Sequence, residues 1–297
     1  MDAQTVGDGC LLIIGGDEEE QYRHEILARF VQLSGGPERN FLLLTSASGE
    51  PDKMAAPYYA ALQALGVRHC ELIYTAGREE ANDPARAERI RHADGILITG
   101  GDQRRLMANI GGTAVDQALH DALKRQCACL AGTSAGASAM AGHMLAAGMA
   151  EYTPTKGAAV IGAGLGFTQG VVIDQHFSQR HRINRLLSVV AQNPYLYGLG
   201  IDEDTALVIE RGVGIEVIGA GAVTLVDGRR ITSNIADLKE GQVPEMIGLQ
   251  LHILPAGTGF VLPGQNQHAT RLRHISRTVP HDLIEFIDRL TRRTAPS

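Results

Sequence analysis

The sequence has no tryptophan, and aromatic residues make up only 4% of its 297 residues. Hydrophobic residues nevertheless reach 44%, so the core must be built mainly from alanine, valine, isoleucine and leucine. No apolar run approaches the ~20 residues that a membrane-spanning helix needs. The N-terminal stretch MDAQTVGDGC lacks the basic and apolar regions of a secretory signal peptide. These absences predict a globular protein that stays in the cytoplasm.

An excess of positive charge is also missing. The 27 Lys and Arg residues are outnumbered by 33 Asp and Glu residues, giving a formal net charge of −6. This balance argues against nucleic acid or an anionic membrane as the main partner. Cysteine is scarce, and Cys10, Cys70, Cys127 and Cys129 all lie in or beside apolar runs. We therefore predict small, buried, reduced thiols rather than disulfides or metal ligands.

Nucleotide-binding motifs are absent as well. The glycine pair in IIGGDEEE does not match G-x-G-x-x-G, and the sequence contains no P-loop. Dinucleotide or ATP chemistry is therefore not expected. The acidic turn itself receives no functional role from the sequence.

Short apolar runs alternate with helical patterns between about residues 10 and 204. Near-continuous hydrophobic strands separated by helices are typical of a parallel sheet that is covered on both faces. We therefore predict a doubly wound, mostly parallel α/β sheet, with GVVID and GLGID among its strands. From residue 205, short strands and glycine turns predict a β-rich extension that ends in a helix around HDLIEFIDRLTRR. We expect residues 1–297 to form a single domain.

In an open α/β sheet, ligands bind beyond the carboxyl ends of the strands. The pentapeptide GTSAG fits G-x-S-x-G, with Ser134 between a predicted strand and a predicted helix. That context is the one a nucleophile elbow requires. Gly132 and Gly136 would remove colliding side chains, and the amides of Ala135 and of Gly100 or Gly101 are candidate oxyanion donors.

A serine nucleophile needs a base, and the base needs an orienting acid. His176 follows the strand GVVID, and Glu203 follows GLGID. Asp174, Asp202 and Asp204 are alternative acids on sequence grounds. The order serine, histidine, acid differs from the serine, acid, histidine order of α/β-hydrolases, which disfavours that family.

Arginines follow the candidate base closely, at Arg180, Arg182 and Arg185. In an acidic protein, such a cluster predicts a substrate that carries carboxylates. The alternative is an ordinary solvated helix face. A metal site at Asp174, His176, His181 and Glu203 is a weak alternative, because the spacing fits no usual ligand pattern.

Four motifs occur together in this order: ITGGDQRRL, AGTSAGAS, DQHFSQRHRINRL and GLGIDEDTAL. In them the chain resembles the cyanophycinases, a family of serine peptidases that also includes aspartyl dipeptidases. The resemblance covers nearly the whole chain. It implies a fold related to class I glutamine amidotransferases, a homodimer, and hydrolysis without a metal or cofactor.

The same resemblance implies a substrate and a set of site residues. The substrate is cyanophycin, a polyaspartate with arginine on each β-carboxyl, and the product is the β-aspartyl-arginine dipeptide. The implied roles are nucleophile for Ser134, base for His176 and orienting acid for Glu203. From the elbow itself, we predict Gly101 and Ala135 as the oxyanion donors. The implied substrate-binding residues are Gln103, Asp174, Gln175, Arg180, Arg182 and Arg185. Two alternatives are an aspartyl dipeptidase that acts on Asp-X and a non-catalytic binding module.

Overall fold

The computed structural model describes residues 9–18, 20–125, 128–262, 273–274 and 279–292. Cys127 lies outside these residues. The strands are β1 (Cys10–Ile14), β2 (Asn40–Leu44), β3 (His69–Ile73), β4 (Gly95–Ile98), β5 (Cys129–Thr133), β6 (His143–Gly148), β7 (Ala159–Ala163), β8 (Val171–Asp174), β9 (Tyr197–Ile201), β10 (Thr205–Glu210), β11 (Gly214–Gly219), β12 (Ala222–Asp227), β13 (Thr232–Ser233), β14 (Met246–Ile247), β15 (Gln250–Pro255), β16 (Gly259–Val261) and β17 (Arg273–His274).

Helices alternate with the strands through most of the N-terminal half. They are α1 (Glu20–Leu33), α2 (Pro51–Ala64), α3 (Arg78–Ala81), α4 (Pro84–His92), α5 (Gln103–Ile110), α6 (Ala114–Leu123), α7 (Ala135–Ala139), α8 (Ile183–Gln192) and α9 (His281–Thr291), with a 3₁₀ turn at Ile235–Asp237. No helix in the described ranges has both the length and the apolarity that crossing a membrane demands.

Within the described residues, the largest sheet has nine strands in the order β17-β16-β11-β10-β1-β5-β4-β2-β3. The five strands from β1 to β3 in this order are parallel. Their side chains alternate between two faces. Leu11 and Ile13 pack with residues of α4, α5 and α6, whereas Leu12 and Ile14 pack with α1 and α2. A mixed α/β fold with a large, mostly parallel sheet and helices is therefore confirmed.

One part of the fold prediction is wrong, because β8 and β9 do not continue this sheet. They form a second sheet in the order β15-β12-β9-β8. Between β5 and β8 the chain forms the five-residue α7 and the β6–β7 hairpin, so no long crossover helix returns it to the first sheet. The edge beside β1 is instead occupied by β10, which runs antiparallel to it.

Residues beyond 204 contribute strands to both sheets. β10, β11 and β16 extend the first sheet, and β12 and β15 complete the second. One face of the second sheet shares a core with the first sheet, through residues such as Ile173 and Leu199. Its other face packs on α8 through Val172 and Val190, among others. As a result, the ends of β8 and β9 lie against the turn that follows β1.

Cys70 and Cys129 are free thiols. Cys129 is buried, and Cys10 and Cys70 are half-buried. Burial raises the pKa of Cys70 to about 12 and raises that of Cys129 well above its usual value. These thiols are therefore protonated at neutral pH and poor nucleophiles.

A buried ion pair joins α8 to the end of β8. Asp174 is 1% exposed, and its Oδ2 accepts a hydrogen bond of 2.7 Å from Nε of Arg185. A second bond, from Nη2 of Arg185 to Oδ1, makes the pairing bidentate. Arg185 is itself only 5% exposed and also donates to the carbonyl of Gly148 at 2.7 Å. Both partners are therefore enclosed by the fold.

We expect Arg185→Ala to lower the free energy of unfolding by about 3 kcal/mol, because the buried carboxylate of Asp174 loses its bidentate partner and keeps only Nη1 of Arg182, at 3.4 Å. Chemical denaturation measures this loss. Arg180→Ala is the control, since that side chain is 52% exposed and its removal should leave stability nearly unchanged. Equal stability of the two variants would contradict a structural role for the buried pair.

Candidate active site

Ser134 occupies a sharp turn between β5 and α7. Its φ of +52° and ψ of −113° lie in a strained region for a residue with a side chain. The flanking glycines are explained by close packing. A Cβ on Gly136 would lie 2.2 Å from the carbonyl oxygen of Ile98, and one on Gly132 would lie 2.7 Å from Sδ of Met140. Only glycine lets α7 approach the strands this closely.

Three side chains form a continuous relay. The Oγ of Ser134 lies 2.9 Å from Nε2 of His176. The Nδ1 of the same imidazole lies 2.6 Å from Oε1 of Glu203. His176 is 5% exposed and adopts a φ of +48°. This geometry is that of a nucleophile, a base and an orienting acid.

The geometry also distinguishes among the acids that the sequence leaves open. Glu203 contacts the imidazole, whereas Asp174 pairs with Arg185. Asp202 accepts hydrogen bonds from the amides of Ser178 and Ala222, each at 3.1 Å. Asp174 and Asp202 thus hold the loops, and Glu203 faces the base.

The turn after β1 brings the two sheets together at this relay. The amide of His176 donates to the carbonyl of Gly15 at 2.9 Å, and the amide of Asp204 donates to that of Gly16 at 3.3 Å. Gly16 has a φ of +104°, and a Cβ there would lie 2.6 Å from Nε2 of His176. The predictions from the sequence included no role for this turn. The feature that could have indicated one is the glycine pair at the end of a strand.

A pocket of about 460 Å³ opens beside Ser134. Its lining includes Asp17, Glu18, Ser48, Gly100 and Gly101, together with Ser134 and His176. A Cβ added to Gly100 would lie 3.4 Å from the Cβ of Ser134, so the loop that follows β4 passes next to Ser134. Ala135 is the first residue of α7, where a helix offers its amide no internal acceptor. The predicted oxyanion donors are the amide of Gly101, which lines the same pocket as Ser134, and the amide of Ala135, the next residue in the chain, and both stay predictions.

Burial lowers the pKa of His176, although the hydrogen bond to Glu203 raises it. The positive charges of Arg180 and Arg182 also lower it. The net direction is downward, which favours the neutral imidazole at neutral pH. A neutral imidazole is the form that can accept a proton from Ser134.

None of the six predicted substrate-binding residues is among those that line the pocket beside Ser134. Most of them instead lie close to His176 along the chain but outside this lining. Gln175 is 7% exposed, and its Oε1 accepts a bond of 3.0 Å from Nη1 of Arg182. The Nε2 of Gln103 donates to the carbonyl of Leu145 at 3.1 Å.

The arginines of this group differ in exposure. Arg185 is enclosed with Asp174, and burial lowers the pKa of Arg182 to about 10. Arg180 is the exposed one, with its Nε 3.9 Å from Oε1 of Glu203. Substrate binding by the six residues stays a prediction.

Among the residues described, one group could supply three metal ligands. Asp17, His176 and Glu203 have ligand atoms within 4.8 Å of one another. Both nitrogens of His176 already have hydrogen-bonding partners, Ser134 and Glu203. Hydrogen bonds therefore account for this imidazole without a metal.

Comparison with known proteins gives a consistent result. The sequence pattern of peptidase family S51 matches residues 11–217. The chain is 35% identical over 254 residues to the cyanophycinase of Trichormus variabilis, covering 85% of each protein. It is also 35% identical over 251 residues to the cyanophycinase of Geminocystis herdmanii, covering 84% of this chain and 92% of that protein. The crystal structure of a peptidase from an acI-B1 actinobacterium shares the fold, with a TM-score of 0.60, 21% identity, and coverage of 85% and 98%.

Gly16→Ala should reduce peptide hydrolysis at least about 100-fold, because the new methyl group displaces the imidazole of His176. Gly36→Ala is a matched control. Gly36 has a φ of +103° but nothing within 4 Å of the added Cβ. Both variants should lose about 1–3 kcal/mol of stability from the unfavourable φ, and only Gly16→Ala should lose activity. Kinetics and thermal unfolding measure the two effects, and an active Gly16→Ala enzyme would contradict the proposed contact.

The pH dependence of kcat/KM should reflect the lowered pKa of His176. Protonation removes the base, so activity falls as pH drops through that pKa. We expect the midpoint of this acid limb to lie below 6.5, the ordinary value for histidine. In Glu203→Gln the midpoint should move lower still, since the bond to Glu203 raises the pKa. An acid limb above 6.5, or an upward shift in the variant, would contradict this reading.

Proposed function

Because the chain belongs to peptidase family S51 and is therefore a serine-type peptidase, we propose that it is an exopeptidase of cyanophycin. It would hydrolyse the polyaspartate backbone and release β-aspartyl-arginine dipeptides. The observation that carries this proposal is the relay of Ser134, His176 and Glu203, with distances of 2.9 and 2.6 Å. Relatives that are named cyanophycinases, such as that of Trichormus variabilis, support the choice of substrate.

The reaction follows from the roles of the three side chains. Ser134 Oγ attacks the backbone carbonyl carbon while His176 Nε2 accepts the hydroxyl proton. The same proton passes to the leaving amine as the C–N bond breaks, which leaves an acyl-enzyme on Ser134. Water then attacks the ester, His176 accepts a proton from it, and the serine is regenerated. Glu203 orients the imidazole and stabilises its charged form in both steps.

Negative charge develops on the carbonyl oxygen in each step, and it needs fixed donors. In this proposal the amides of Gly101 and Ala135 supply them. Gly101 lines the pocket that contains Ser134, and Ala135 follows Ser134 in the chain at the start of α7, which supports the assignment. A Cβ on Gly101 would lie 2.3 Å from the carbonyl oxygen of Ala47, so the loop conformation there requires glycine.

The charged residues behind the base suit a substrate that carries both signs of charge. We propose that Arg180, the most exposed arginine of the group, contacts a substrate carboxylate directly. The rest of the binding site would come from side chains that are less exposed than Arg180, namely Arg182, Gln175 and Gln103. Asp174 and Arg185 would act through their buried pairing, by fixing the strand end that carries Gln175 and His176.

Several features of the wider setting belong to the same proposal. They are a single domain over residues 1–297, a fold related to class I glutamine amidotransferases, a homodimer in the cytoplasm, and hydrolysis without a cofactor. Strands from residues 205–261 in both sheets support the single domain. The thiols of Cys70 and Cys129, which form no disulfide, support a reducing compartment.

Incubation of the purified protein with cyanophycin, followed by mass spectrometry, tests the substrate. We expect β-aspartyl-arginine as the product. Ser134→Ala should lose activity by several orders of magnitude, up to about a millionfold, while the variant stays folded. A wild-type enzyme that cleaves Asp-Leu but leaves cyanophycin intact would indicate an aspartyl dipeptidase. Unchanged activity in Ser134→Ala would exclude the nucleophile.

A further inference from the structure

Glu18 is a buried carboxylate beside the nucleophile elbow that the relay does not use. It is 4% exposed and lies in the wall of the pocket that contains Ser134. No ion pair in the described part of the chain includes it. A buried carboxylate that forms no ion pair is costly unless hydrogen bonds replace its contacts with water, so the hydrogen bonds of Glu18 decide how it is held.

Those hydrogen bonds link three elements of the fold. Oε2 of Glu18 accepts a bond of 2.9 Å from the hydroxyl of Tyr58, which lies in α2. Oε1 accepts from Oγ1 of Thr133, the last residue of β5. The backbone carbonyl of Glu18 accepts from the guanidinium of Arg23 in α1. The carboxylate therefore ties the turn after β1 to α2 and to the strand that carries the nucleophile.

The protonation of Tyr58 supports this arrangement. Burial raises its pKa well above the usual value, and the negative charge of Glu18 raises it further. The phenol thus keeps its proton and remains a donor to Glu18. Donors to an ionised carboxylate form shorter and stronger bonds than donors to a neutral acceptor.

We propose that Glu18 is a positioning residue for the peptidase reaction, acting through Thr133 to hold Ser134 in its strained conformation. This inference rests on the proposed role of Ser134 as nucleophile. A serine at a φ of +52° tends to relax toward ordinary backbone angles, which would move Oγ away from His176. Thr133 is joined to Ser134 by one peptide bond, so anchoring its side chain to Glu18 opposes that movement.

The turn that carries Glu18 contacts the other reacting side chain as well. Gly16, two residues earlier, lies against Nε2 of His176. One short segment therefore fixes both the imidazole and the elbow. A shift of about 1 Å between reacting groups can cost about 100-fold in rate, which gives the scale of the expected effect.

The test compares two variants that each remove one hydroxyl from the same carboxylate. Thr133→Val and Tyr58→Phe should lower thermal stability to a similar extent, because each leaves one oxygen of Glu18 without its donor. Only Thr133→Val should lower kcat, by about 10- to 100-fold, with KM within about twofold. Thr133→Ser keeps the hydroxyl and should restore kcat to within about threefold of wild type.

Thr99→Val controls for the change of shape. Thr99 follows β4, is fully buried, and has a hydroxyl without a hydrogen-bond partner, so kcat should stay within about twofold. The rate at which a fluorophosphonate labels Ser134 gives a second readout that needs no peptide substrate. It should fall in Thr133→Val in parallel with kcat.

Three results would overturn the proposal: wild-type kcat and labelling in Thr133→Val, an equal loss of kcat in Tyr58→Phe, or no rescue by Thr133→Ser. Failure to cleave cyanophycin would instead count against the proposed substrate. The labelling rates would still decide the role of Glu18.

Discussion

The relay depends on the turn formed by Gly15 and Gly16, because its parts come from two different sheets. Ser134 follows a strand of the first sheet, whereas His176 and Glu203 follow strands of the second. The carbonyls of Gly15 and Gly16 accept the amides of His176 and Asp204. The relay distances of 2.9 and 2.6 Å can form only if the strand ends of the two sheets are held together. The hydrogen bonds to this turn hold them there.

Local strain accompanies this assembly. Ser134, His176 and Asp204 all have positive φ without being glycine, with values of 52°, 48° and 53°. Such conformations cost of order 1–3 kcal/mol each, and less for residues such as Asp and His that tolerate the left-handed region. The surrounding strands offset that cost. Leu12, Ile13 and Leu199 are 0% exposed. Because these strand residues are buried in the core, the strand ends that carry the strained residues are held in place.

The sequence predicted the elements better than their pairing. The apolar runs located the five parallel strands, and the strand ends located Ser134, His176 and Glu203. The run GVVID has the same pattern whether its strand, β8, joins the first sheet or the second. Nothing within the run shows that β8 pairs with β9, which in turn pairs with β12. The arginines near His176 predicted either substrate contacts or a solvated helix face, but nothing in the sequence showed that Arg185 would be buried against Asp174. Burial of a charged side chain depends on tertiary packing, which a local pattern does not contain.

The placement of the arginines connects substrate charge with the state of the base. Arg180 and Arg182 lower the pKa of His176, so in the free enzyme they favour the neutral imidazole that can act as a base. In the proposed function, a substrate carboxylate bound at Arg180 offsets part of this positive charge. The imidazole then becomes more basic at the moment when it must accept the serine proton. A neutral substrate of the same shape would lack this effect, so the arginines would discriminate through the reaction step as well as through binding.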